Sequence, residues 1–145
     1  MPTAAEYERR ISRYDSTMLV RLWDRILRGR TQHWESGKAL EYLVLRAFQI
    51  EGAEVRWPYS VRIEKDELEQ IDGVVYSDGL SCLIECKDKS ENLNIEPIAK
   101  LRNQVLRRPS SVVGIVFSRQ GFTDAALTLA HFTAPSDTTL ERGRD

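Results

Sequence analysis

Apolar and polar positions along this chain recur with two different periods, and the switches between them mark its elements. Residues 17–28 place Met18, Leu19, Leu22, Trp23, Ile26 and Leu27 at helical spacing, with Asp15 or Ser16 as N-cap and Gly29 as stop. The mostly polar residues 4–13 predict a shorter helix before it. The longest helix is expected from about 34 to 51, where Leu40, Leu43, Val44, Ala47, Phe48 and Ile50 supply the apolar face and Gly52 the end. Residues 53–63 read as extended, but Pro58 lacks the N–H a ladder needs, which predicts an edge or bulged strand. An acidic turn, EKDELEQ, follows. Two apolar runs, 68–76 and 80–87, joined by Ser77-Asp78-Gly79, then predict an antiparallel pair. The run 80–87 is apolar on both faces before its charges begin, as a central strand is. Residues 94–108 predict a helix capped by Asn94, with Pro97 in its first turn, Ile95, Ile98, Leu101, Val105 and Leu106 inward, and Pro109 beyond its end. VVGIVF at 112–117 reads as a buried strand, and 123–132 as a short helix capped at Phe122 or Thr123. The expected organisation is an N-terminal helical extension (1–30) packed on a core (31–132), followed by a loose polar tail (133–145).

At 145 residues the chain suits one domain with a core large enough to need no staples. It contains no apolar run of membrane-spanning length, and residues 1–10 are too polar for a signal region, so a cytoplasmic location without membrane association is expected. There is no glycine-rich phosphate loop, and no small-molecule cofactor is expected. Cys82 and Cys86 share one side of a strand, too far apart for a disulfide, and with His33 and His131 they are too few for zinc, so both read as core residues. The net charge of −1 conceals a partition: +3 over residues 1–30, −6 over 31–94 and +2 over 95–145. An acidic middle between basic ends suits a cation-binding centre with a phosphate-contacting periphery, and equally an ordinary set of solvated faces. Arg21, Arg25 and Arg28 form one helical stripe, either a solvated face or a ridge against phosphates.

The candidate chemistry lies in the central pair of strands. Side chains alternate along a strand, so Glu85 and Lys87 leave one face while Cys82, Ile84 and Cys86 leave the other. If 68–76 pairs across the Asp-Gly turn, Asp72 lies close to Glu85, and two carboxylates in one place repel unless a cation neutralises them. Two hard oxygen ligands with open positions suit Mg²⁺. The bland alternative is a surface ion pair between Glu85 and Lys87. Glu41 falls on the flank of the long helix's apolar stripe, as a boundary residue whose stem covers the core or as a third acidic group leaning toward the sheet.

Glu41 on the first core helix, Ile71-Asp72-Gly73 on one strand, Glu85-Cys86-Lys87 on the next and a helix directly after resemble the catalytic core of the restriction-endonuclease-like PD-(D/E)xK nucleases. The likeness is to the branch of stand-alone and modification-dependent restriction endonucleases, and it spans residues 37–130. It implies an α/β fold with an αβββαβ core, a mixed central sheet flanked by helices, plus extra N-terminal helices. It also implies a Mg²⁺-dependent endonuclease acting on DNA, with Mn²⁺ able to substitute, alone or as a homodimer. By the same resemblance, Asp72, Glu85 and the backbone carbonyl of Cys86 would bind the metal. Glu41 would hold a metal-bound water or a second cation, and Lys87 would position the attacking water. Ile71 stands where the motif's name has proline, and Arg108 where one branch has an aromatic. Gln104 matches a polar residue that some branches aim at the site. The alternative is a catalytically inactive nucleic-acid-binding or assembly module that keeps the fold.

Overall fold

The computed structural model describes residues 2–109, 111–132 and 138–142, with side chains described through His131. Helices α1 (Ala4–Ser12) and α2 (Ser16–Leu27) precede α3 (Lys38–Ile50), followed by strands β1 (Glu54–Arg56), β2 (Tyr59–Ile63), β3 (Asp66–Ile71), β4 (Gly73–Ser77) and β5 (Leu80–Lys87). Then come α4 (Ile95–Leu106), β6 (Val112–Ser118), α5 (Asp124–Phe132) and β7 (Thr138–Arg142). The main sheet has the order β1-β4-β5-β6-β7, with β1, β4 and β5 antiparallel and β5, β6 and β7 parallel. β2 and β3 form a separate two-stranded hairpin.

The expected mixed α/β architecture is present, and the doubly apolar run 80–87 is the central strand. Its two faces feed two cores. Ile84 and Cys86 pack with Val75, Leu40, Val44 and Leu45 under α1–α3, whereas Leu83 packs with Val74, Ile98, Leu101, Val105 and Val116 under α4 and α5. An aromatic cluster ties α1 to α3: Tyr7 stacks on Trp34 at 5.2 Å between ring centroids, and Tyr42 stacks on Trp57 at 5.5 Å. Asp15, Asn94 and Thr123 cap their helices as expected, each side chain accepting a backbone N–H.

Several expectations are corrected. The long helix begins at Lys38, after a left-handed Gly37, and Trp34 lies in the preceding turn. The edge or bulged strand expected over 53–63 is present in both forms, divided at Pro58 into β1, an edge strand of the main sheet, and β2, which carries a bulge between Val61 and Arg62. Most of EKDELEQ is strand β3 rather than turn, because the reversal is completed within Glu64 and Lys65, Glu64 having φ of 55°. Ile95 and Leu106, expected inward, lie on the exposed side of α4, since Ile98, Leu101 and Val105 already fill its inward stripe. In the expected polar tail, Thr138–Arg142 pairs parallel with β6; residues 133–137 and 143–145 lie outside the described residues.

Candidate active site

The run expected as one strand over 68–76 breaks at Asp72, and that break builds the site. β3 belongs to the hairpin and β4 to the main sheet, leaving Asp72 between two strands instead of on one. Gly73 allows the transition, because a Cβ there would stand 2.6 Å from both Leu45 methyls on α3. In the register Gly73↔Ile84, the next pair outward is Asp72 opposite Glu85. β4 has ended at that point, so the β5 edge lacks a strand to accept its N–H, and the Asp72 carboxylate does so instead: the Cys86 N–H donates to Oδ2 at 2.8 Å.

Glu85 is 1% exposed, on the α4 side of the central strand. Two ammonium groups meet its Oε1: Lys87 Nζ at 3.2 Å and Lys100 Nζ, from α4, at 3.6 Å. The strand alternation therefore holds, and Glu85 with Lys87 is no surface pair. Oε2 of Glu85 is buried without a hydrogen-bond partner. Glu41 is also buried, paired with Lys38 Nζ at 3.3 Å. The boundary reading thus gives way to the third acidic group: Glu41 and Asp72 line one small cavity of about 120 Å³ with Lys38, Tyr59, Ser60 and Gln70.

The electrostatics follow from this crowding. Burial and then the negative charge of Asp72 push the Glu41 carboxyl up to about 7, against the pull of Lys38. Burial and then Glu85 push Asp72 up to about 6, against the Cys86 N–H and the two lysines. Burial also raises the Cys86 thiol, and both cysteines are free, consistent with core residues. An orphaned carboxylate oxygen of Glu85 beside the half-buried Asp72 carboxylate is a donor set that fits a hard divalent cation completing its shell with water. Among the described residues no three His, Cys, Asp or Glu side chains stand together as a metal cage.

Lys38 and Lys100 were not singled out from the sequence. Lys38 was legible, one turn before Glu41 on the same helix. Lys100 was not, since its meeting with Glu85 depends on how α4 crosses back over β5. Gln104 is buried, but its amide donates to the Gln70 carbonyl at 3.4 Å. Arg108 holds Glu69 through two nitrogens at 3.1 and 3.2 Å and donates to the Gln104 carbonyl at 2.7 Å, tying the hairpin to α4.

This mixed sheet flanked by helices, in a chain matched by a restriction endonuclease family model, is that of the restriction-endonuclease-like class of nucleases. The chain belongs to that class through the Mrr_cat family, described as restriction endonuclease, whose model matches residues 33–138. No curated protein matches it. Among solved structures it is similar to the protein of unknown function AF1548, with a TM-score of 0.60 and 20% identity over 71% of this chain and 56% of that one. It is also similar to the MspJI restriction endonuclease in complex with a 27-mer oligonucleotide, with a TM-score of 0.49 and 15% identity over 99% of this chain and 32% of that one. The chain thus spans little more than half the length of the first and about a third of the second. Among the described residues no helix is long and apolar enough to cross a membrane.

Proposed function

We propose that this chain is the catalytic part of a divalent-metal-dependent endonuclease that hydrolyses phosphodiester bonds in DNA. The observation that carries the reading is the meeting of Asp72, Glu85 and Lys87 where the central strand leaves its neighbour, in a chain of restriction-endonuclease family. Asp72 and Glu85 would hold the cation, Mg²⁺ or Mn²⁺, with the Cys86 carbonyl as a further ligand and Glu41 reaching it through water. The cation would supply charge relief on the phosphoryl oxygens and a more acidic water. Lys87 holds the attacking water in line, its ammonium oriented by Glu85 Oε1. Lys38 neutralises part of the Glu41 charge. Duplex cleavage needs two strands cut, which favours a homodimer or sequential nicking. The DNA assignment rests on the family and the site.

The test is gel-based cleavage of supercoiled, linear, branched and methylated DNA with Mg²⁺ or Mn²⁺. Wild type is expected to cut, and Lys87→Met, which keeps the packing stem and deletes the charge, to lose about two orders of magnitude or more. The Lys87 variant retains metal-induced stabilisation, whereas Asp72→Ala loses both cutting and metal response. Binding of DNA without cleavage of any form would replace the enzyme reading with that of an inactive binding module.

A further inference from the structure

Glu85 Oε1 is approached by two ammonium groups, and the second of these, Lys100, is differently placed from Lys87. Lys87 is 29% exposed and Lys100 50% exposed. Lys100 also stands where two clefts meet. One, of about 540 Å³, is shared with Lys87, Lys89, Asn92 and Asn94; the other, of about 380 Å³, is shared with Gln70, Asn103, Gln104 and Arg107. Asp72 faces the same two ammonium groups, and of the pair Lys100 is the more exposed and the more loosely held at Glu85, free to turn toward these clefts. The neighbouring cations are differently engaged: Lys38 pairs with Glu41, Arg119 with Asp88, and Arg107 and Arg108 share Glu69. Acidic groups line the same clefts, Glu91 and Glu96 in the first and Glu67 and Glu69 in the second, and Lys100 is the cation common to both.

We infer that Lys100 is a substrate-binding residue, gripping a backbone phosphate of the cut strand across this junction, while Lys87 serves the water. The inference rests on the nuclease reading and adds a division of labour between the two lysines. Lys100 has the properties a phosphate grip needs: a long flexible stem, half exposure, and a single weak contact at 3.6 Å that it can exchange for a phosphate oxygen. Lys87, closer to Glu85 and less exposed, is held in place.

The experiment is fluorescence anisotropy of a labelled DNA duplex in EDTA over a series of KCl concentrations, for wild type, Lys100→Gln, Lys100→Arg and Lys87→Met, followed by steady-state cleavage kinetics. Lys100→Gln is expected to weaken binding about tenfold, the scale of one charge-assisted contact. It should also make the slope of log affinity against log salt shallower by about one. Lys100→Arg should restore both. In cleavage, Lys100→Gln should raise KM more than it lowers kcat, and Lys87→Met the reverse. An unchanged salt slope for Lys100→Gln in a wild type that binds and cuts DNA would overturn the inference alone. A wild type that neither binds nor cuts would overturn the nuclease reading, and this inference with it.

Discussion

Replacing Asp72 with Asn tests whether the site is an acidic pocket held under strain. Asn keeps the shape and an oxygen able to accept the Cys86 N–H, but carries no charge against Glu85 and Glu41. The Asp72 carboxyl rises from 3.8 to about 6 on folding, and Glu41 from 4.5 to about 7, so the folded protein holds protons that the unfolded chain has released. A raised carboxyl makes no demand below the unfolded value; its destabilisation grows as pH climbs through about 4 to 7 and is complete above. At about 1.4 kcal/mol per pH unit of displacement, Asp72 alone accounts for on the order of 3 kcal/mol, part of it repulsion shared with its neighbours. Asp72→Asn is therefore expected to be more stable than wild type by roughly 2 kcal/mol near neutral pH and above, a rise in Tm of about 4–8 °C, shrinking toward zero near the unfolded carboxylate range. The assay is thermal unfolding of both proteins across that pH range in EDTA, then with millimolar Mg²⁺ or Mn²⁺. Metal should raise the wild-type Tm and leave the variant nearly unmoved. A variant-minus-wild-type difference that does not change with pH would refute the reasoning, as would equal metal shifts in both proteins.

Three further outcomes follow from the same geometry. Gly73→Ala should cost about 1–3 kcal/mol in denaturant unfolding, because its Cβ meets the Leu45 methyls and pries α3 from β4, and cleavage should fall as Glu41 moves away from Asp72. Glu69→Gln should cost about 1–2 kcal/mol above the carboxylate range by weakening the contacts with Arg108 and Arg107, and the loss should fade as pH drops through the Glu69 titration. Burial raises that carboxyl, but hydrogen bonds from the two arginines outweigh it and leave it lowered, so its contribution is present at neutral pH and lost in acid. Charge reversal at the exposed Arg21, Arg25 and Arg28 should weaken DNA binding and flatten its salt dependence if that stripe contacts phosphates; an unchanged slope returns it to an ordinary solvated face.

The elements were legible in the sequence where period and punctuation agree. Asp15, Asn94 and Thr123 announce helix starts because a short polar side chain there satisfies an N–H that the helix leaves open. The both-faced apolar run 80–87 announces a central strand because only a strand covered on both sides tolerates it. The alternation that sets Glu85 beside Lys87 is likewise local, and the structure keeps it. What tertiary structure alone decided was how these pieces meet. The break at Asp72 depends on Leu45 pressing against Gly73 and on β2 drawing β3 away from the main sheet, neither of which a single run of residues encodes. Glu41 sits at the flank of a helical stripe in the sequence; its burial beside Asp72 comes from packing α3 on the sheet. Lys100 reaches Glu85 only because α4 returns across β5 to begin a parallel neighbour, and the pairing of Thr138–Arg142 needs the edge that β6 offers. Side-chain periodicity is a property of a few consecutive residues, whereas the charges that crowd this site come from three separate elements and the break between two strands, and act on one another through space.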